Sequence, residues 1–329
     1  MLHTRVCDLF GVSHPVVLGG MGSGTNPALV SAVSNAGGLG VQGCAGRTPD
    51  EIAQLADAIR GATHRPFGLN LLLFMANDEH IQAVLQAKPS IFSSAWPWPE
   101  TNLRSIFKRA HDTGARVLHM VSTVHEARRA AEAGADVIVA QGTEGGGHVW
   151  LMGTMVLVRQ VVRAVEPLPV LAAGGIADGA GLAAALMLGA EGALLGTRFL
   201  ATPEAPLPQS YKEAICRSDG HDTILTEIPD TAGSQVWPGA YARALRTRVI
   251  EEFIGRDEEV RRRRAEINAR IRRAREEGDV DNGSLLIGQD AGLIERLEPA
   301  AEIVERLVRE AEELLAQRPS AVLSDVDRA

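Results

Sequence analysis

From residue 16 to 199, short apolar runs alternate with amphipathic stretches. The candidate strands are VVLGG (16–20), GLGVQG (38–43), FGLNLLL (67–73), SIFSSAW (90–96), RVLHMVS (116–122), DVIVAQG (136–142), PVLAAGG (169–175) and GALLGTRF (192–199). Helix-like segments such as TPDEIAQLADAIRGA and TVHEARRAAEAG lie between them. Asn26, Thr48, Asp78, Thr123 and Asp178 stand where helices should be capped, and Gly114, Gly134 and Gly189 where helices should stop. The strand runs are nearly continuous in apolar residues, as expected of a parallel sheet covered on both faces. Eight such runs with seven helices between them predict an α/β fold, a closed (β/α)8 barrel. An open doubly wound sheet, which usually has fewer strands, is the second choice.

The pattern changes after Phe199. A Pro-rich link, ATPEAPLPQS, leads into a mixed segment and then a charged helical run, RVIEEFIGRDEEVRRRRAEINARIRRAREEGD. The cluster Arg261–Arg264 alternates with acidic blocks, which marks a solvated helix face. PAAEIVERLVREAEELL has apolar residues at helical spacing and is expected to be the eighth barrel helix. The expected organisation is a main barrel part over 1–205, a small helical lid over 206–288, the final barrel helix region over 289–318 and a flexible tail over 319–329.

Composition narrows the function classes. Apolar residues make up 45% of the 329, enough for a sizeable core, yet no run reaches the ~18 residues of a membrane span. MLHTRVCDLF lacks the layout of a secretory leader. The three cysteines, Cys7, Cys44 and Cys216, are scattered, which fits a reducing cytoplasmic setting. A net charge of −8 argues against a nucleic-acid partner. Self-association into a homodimer is left open.

In a barrel of this kind the chemistry gathers at the C-terminal strand ends. The first run ends in Gly19, Gly20, Met21 and Gly22, and the third carries Asn70. The fourth ends in Trp96 and Trp98, and the fifth carries His119 and Ser122. The sixth ends in Gln141, followed by three glycines and His148. The seventh ends in Gly174-Gly175, and the eighth carries Gly196-Thr197. The last two ends occupy the usual phosphate position, where backbone N–H groups can approach an oxygen; close helix packing is the competing reading of those glycines. Asn70 and Gln141 could read the edge of a flat heterocycle or be satisfied buried amides. None of the three lysines (Lys88, Lys108, Lys212) is at a strand end, which disfavours a Schiff-base mechanism. No carboxylate pair or histidine cluster suggests a metal. An isolated glycine triplet marks a surface turn first. Placed at the active face, it would let the loop lie over a planar ring and aim His148 as a general base. His119 is expected to have a mid-strand structural role, Cys44 to be an apolar filler, and Trp96, Trp98 and Trp150 to be walls or ordinary packing.

Five stretches, GGMGSGTNPALVSAVSNAGGLG, AQGTEGGGH, LAAGGIADG, LGAEGALLGTRF and GQDAGLI, together resemble the nitronate monooxygenase family, once called 2-nitropropane dioxygenases. That FMN-dependent superfamily also holds flavin-type enoyl reductases and some NADH:quinone reductases. The resemblance implies FMN at the barrel mouth, with Gly20, Met21, Asn70, Gln141 and Gly146 contacting the flavin. Gly174, Gly175, Leu194, Leu195, Gly196 and Thr197 would surround its phosphate. His148 matches the family's base. The implied reaction is oxidation of an alkyl nitronate, or of a nitroalkane after loss of its α-proton, by O2 to a carbonyl compound and nitrite.

The chain departs from the family pattern in having EGGGH for EAGGH and Val149-Trp150 after the histidine. Many enoyl-reductase relatives have Glu where Gln141 stands, so Gln141 leans toward the monooxygenase branch. The alternative within the superfamily is an NAD(P)H-dependent flavin reductase acting on a quinone or enoyl thioester. Outside it stand a non-catalytic flavin-binding protein and a flavin-free sugar-phosphate enzyme.

Overall fold

The computed structural model describes residues 2–323; residue 1 and 324–329, most of the expected tail, lie outside the described residues. Eight parallel strands form one sheet, in the spatial order Val16–Leu18, Ala193–Leu195, Val170–Ala173, Val137–Gln141, Arg116–Val121, Ile91–Ala95, Phe67–Leu72 and Gly40–Gly43. They are β1 (Val16–Leu18), β2 (Gly40–Gly43), β3 (Phe67–Leu72), β4 (Ile91–Ala95), β5 (Arg116–Val121), β6 (Val137–Gln141), β8 (Val170–Ala173) and β9 (Ala193–Leu195). The ring closes where Val17 bridges Leu39 in parallel register. Leu18 N–H donates to Leu39 O and Leu39 N–H to Val16 O, each at 2.9 Å. The chain therefore folds as the (β/α)8 barrel that its alternation predicts.

Strand periodicity sorts the apolar residues into two layers. Val17, Val41, Leu118, Val139 and Leu171 fill the barrel interior, and helix Arg5–Phe10 packs Val6, Cys7 and Phe10 into the same cluster. Val16, Leu18, Phe92 and Val117 face outward onto the helices. Helix starts are set locally. Thr48 and Thr123 make capping boxes with Glu51 and Glu126, and Asn26 and Asp178 accept from the third backbone N–H of their helices. One cap differs from expectation. Asn77, not Asp78, holds its helix, because its side chain accepts from His80 N–H while Asp78 is already helical.

The insertion between β9 and the last helix carries strands as well as helices. β10 (Thr223–Thr226) pairs antiparallel with β11 (Tyr241–Leu245), and β11 pairs with β7 (Gly147–Val149), which belongs to the loop after β6. The glycine run before His148 thus leads into an edge strand that the insertion completes. Arg243 reinforces this join from a buried position: its Nε donates to Thr143 O at 2.7 Å and its Nη1 to Thr223 Oγ1 at 3.2 Å. The charged run divides into helices Arg248–Phe253, Asp257–Arg262 and Arg264–Glu277. The chain returns through a 3-10 turn, Gln289–Leu293, to helix Ala300–Val322. Ile303, Val304, Leu307 and Ala311 bury one stripe of that helix against Gly179–Met187, where a Cβ on Gly179 would stand 2.2 Å from Glu310 Cβ.

Candidate active site

A cavity of about 260 Å³ opens at the C-terminal ends of the strands, beneath the insertion. Gly20, Met21, Asn70, Gln141, Gly146, His148, Gly174, Leu194, Leu195, Gly196 and Thr197 all line it. Gly175 is not on its wall; a Cβ there would meet Glu144 Cβ at 3.1 Å, behind the cavity.

The wall near β8 and β9 is mostly backbone. Gly174 and Gly175 have φ of +93° and +78°, a region that side chains disfavour. A Cβ on Gly174 would fall 2.8 Å from Gly142 O, and one on Gly146 2.5 Å from Gly288 N. These positions let three loops meet without side chains between them. Glu144 helps to fix the loop after β6. Helix Thr154–Val165 has no side-chain cap of its own, and the Glu144 carboxylate accepts from Thr154 N–H at 2.8 Å. Thr197 Oγ1 accepts from Gly288 N–H at 2.9 Å, tying the end of β9 to the returning chain.

Two amides sit deeper. Asn70 is engaged at both ends: Nδ2 donates to Gly20 O at 3.2 Å and Oδ1 accepts from Ser93 Oγ at 2.8 Å. A Cβ on Gly20 would lie 2.4 Å from Asn70 Cβ, so the loop after β1 rests directly on this side chain. Gln141 Oε1 is buried without a partner among the described residues. Such an acceptor costs about 1–3 kcal/mol unless a ligand satisfies it.

At the opposite end His148 lies on β7, opposite Ala242 of β11. Its Nε2 lies 3.0 and 3.1 Å from the two carboxylate oxygens of Asp230, on helix Ile228–Ala232 of the insertion. Trp237 Nε1 donates to the same Asp230 Oδ1 at 3.1 Å. The Trp237 ring stacks on the imidazole, centroids 3.3 Å apart and 11° from parallel. The side chains of His148 and Asp230 are only 10% and 11% exposed. A carboxylate can only accept, so Nε2 carries a proton, and in the neutral ring the lone pair is on Nδ1. The wall continues through Trp96, held at a φ of +52° and edge-on to Trp237.

The other candidates fall elsewhere. Trp98 packs edge-on to Phe74, and Trp150 packs against Tyr241; neither lines the cavity. His119 points outward from β5, where Ser94 Oγ lies 2.8 Å from Nδ1 and Phe107 covers the ring. Burial, then the charge of Arg129, pushes its imidazole down to about 3. Burial pushes the Cys44 thiol up to about 12, which makes it an inert filler. Asp230, Trp237, Asp290 and Arg275 were not anticipated, although all but Asp230 line the cavity. Only GQDAGLI hinted at one of them, Asp290, through the family resemblance.

A flat ligand with a hydrogen-bond donor on its ring edge and a phosphate at its end fits these groups. Gln141 Oε1 would take the donor, and the glycine-rich rim at Gly174 and Gly196 would admit the phosphate.

Known proteins agree with this architecture. The family profile described as "Nitronate monooxygenase" matches residues 3–86 and 75–310. The chain belongs to the nitronate monooxygenase family. It is thus a flavin-dependent oxidoreductase built on a (β/α)8 barrel. FabK from Thermotoga maritima superposes with a TM-score of 0.86 at 34% identity, covering 98% of this chain and 100% of that one. Nitroalkane oxidase from Streptomyces ansochromogenes gives a TM-score of 0.82 at 29% identity, covering 94% and 99%. A Mycobacterium tuberculosis protein named (3aS,4S,5R,7aS)-5-hydroxy-7a-methyl-1-oxo-octahydro-1H-indene-4-carboxyl-CoA dehydrogenase is 36% identical over 77% of this chain and 68% of its own length. Among the described residues, no helix is long and apolar enough to cross a membrane.

Proposed function

We propose that the protein oxidises alkyl nitronates, and nitroalkanes after deprotonation, with O2 to a carbonyl compound and nitrite, using FMN. The supporting observation is His148, which lines the cavity with Nε2 held by Asp230; in the neutral ring Nδ1 is then the acceptor. Bound FMN would supply the electron acceptor and the centre that reacts with oxygen. Gln141 would hold the ring edge through Oε1, and Gly174, Gly196 and Thr197 would receive the phosphate. His148 would take the α-proton of a neutral nitroalkane at Nδ1, while Asp230 holds the ring in the tautomer that permits it. Trp96 and Trp237 keep water from this end and favour an apolar carbon chain. A preformed nitronate is already an anion and needs no base.

The test is anaerobic mixing of the purified yellow protein with 1-nitropropane or with its nitronate. Wild type should bleach with both. His148→Ala should bleach slowly with the nitroalkane, by roughly 100-fold or more, yet still react with the nitronate. Absence of bleaching by the nitronate in wild type would reject the reading.

One observation favours a second reading, reduction or oxidation of an acyl thioester. Arg275, from the insertion, lines the cavity and donates to Ser23 O at 3.1 Å, and its cation would favour a phosphate-bearing carrier. The dehydrogenase relative acts, by its name, on a CoA ester. Rapid bleaching by NADH, with reoxidation by an enoyl thioester, would decide for it.

A further inference from the structure

The glycine-rich end of the cavity contains a carboxyl group that the proposed reaction does not use. Asp290, in the turn Gln289–Leu293, is 6% exposed and lines the cavity. Its Oδ1 has no hydrogen-bond partner among the described residues. That oxygen backs onto Gly288, where a Cβ would lie only 2.2 Å from it, so a larger residue at 288 would displace it. Thr197 stands beside it, and Gly288 N–H already occupies the Thr197 oxygen as a donor. A phosphate received by Gly196 and Thr197 would therefore meet a carboxyl group at close range. Two anions there would repel each other in a site with little water. A neutral carboxylic acid would instead donate a hydrogen bond to the phosphate.

We propose that Asp290 holds the flavin phosphate as a carboxylic acid, its proton donated to a phosphate oxygen, so that FMN is retained together with one proton. The proposal rests on the reading of this cavity as the FMN site.

The surroundings support the neutral form. Burial is the largest influence and pushes the Asp290 carboxyl up to about 7, against its own backbone N–H, the Thr197 hydroxyl and the charge of Arg198, which all favour ionisation. Arg198 is itself occupied by Glu298, at 3.5 Å, and by two backbone carbonyls. Glu144 approaches from the loop after β6, but its main-chain oxygen takes Gln289 N–H and its carboxylate takes Thr154. Cys216 lies on the helix packed against the turn, its thiol raised by burial, and Asp219 presents its main-chain oxygen to Gly292. Arg275 and His148 share the cavity wall.

The experiment measures release of FMN from the full-length holoprotein on dilution, by the fluorescence of the freed flavin, between pH 7 and 8.5. The phosphate monoester has its second pKa at about 6, so the ligand itself scarcely titrates over this range. Ionisation of Asp290 should raise the wild-type Kd about tenfold across it. Asp290→Asn, which keeps a donor at every pH, should change less than threefold. Asp290→Ser, also a donor, should be equally flat and serves if the Asn variant fails to fold by circular dichroism. A pH slope in either folded variant equal to that of wild type, or no slope in wild type, overturns the proposal. A wild-type protein that is colourless and binds no added FMN overturns the cofactor reading as well, and the visible spectrum separates that result from a flat titration.

Discussion

The cavity has two ends, built by different means. Near β8 and β9 the wall is backbone: Gly174, Gly196 and Gly146 admit no Cβ or leave room for a ligand, and barrel strands support them. Around His148 the site is built from side chains, and two of the three that meet there, Asp230 behind the wall and Trp237 on it, come from the insertion. The first end depends on close approach of loops. The second depends on how the insertion docks, through the β7–β11 pairing and Arg243. Fixed binding at one end and chemistry assembled by a separable segment at the other would let relatives with one barrel act on different substrates.

The barrel wall should lose stability in acid. His119 is held neutral by burial, with a value of about 3 in the fold. An ordinary histidine near 6.5 in the unfolded chain means that this contribution is complete above pH 6.5 and disappears as pH falls toward 3. The expected loss between pH 6.5 and 4 is roughly 3 kcal/mol. His119→Asn, which retains a partner for Ser94 and does not titrate, should lose much less in urea unfolding between pH 6.5 and 4.

Gly146 joins the two ends. Adding a Cβ 2.5 Å from Gly288 N and from Ile287 C must separate two backbone segments. Gly146→Ala should cost about 3 kcal/mol and lower the flavin content of the purified protein. An unchanged melting curve with full flavin absorbance would show that the loops are not closely apposed.

Asp230→Asn sharpens the contrast further. An amide can donate as well as accept, so it no longer dictates which ring nitrogen carries the proton. Turnover of a neutral nitroalkane should fall roughly 10- to 100-fold, with the nitronate reaction nearly unchanged. Equal losses on both substrates would mean that Asp230 only seats the insertion. The smallest effect is expected at Cys44, whose thiol is buried behind β2 and pushed up to about 12. Cys44→Ala should cost about 1 kcal/mol and leave turnover unchanged, and the native thiol should resist alkylation.

Much of the barrel was legible because its rules are local. Thr48 and Glu51, or Thr123 and Glu126, announce a helix start within four residues, and a continuous apolar run such as DVIVAQG announces a strand covered on both faces. The backbone end of the cavity was legible for a related reason, since glycines at strand ends mark where main chain must come close. The region around His148 was not. The glycine run looked like a loop lying over a ring, whereas Gly147–Val149 is a strand whose partner is Tyr241–Leu245. Nothing near Asp230 or Trp237 in the chain reveals the ring they hold.

By itself, the order of residues determined the closed barrel, the cavity at its C-terminal rim and the chemistry available there, because strand periodicity, capping and glycine act over a few neighbours. Only the tertiary structure decided which side chains meet. Asp230 reaches His148 across 82 residues, and Asp290 comes to Thr197 through a returning segment. Such contacts depend on where the packing of the insertion brings distant segments to rest, and no local pattern records that position.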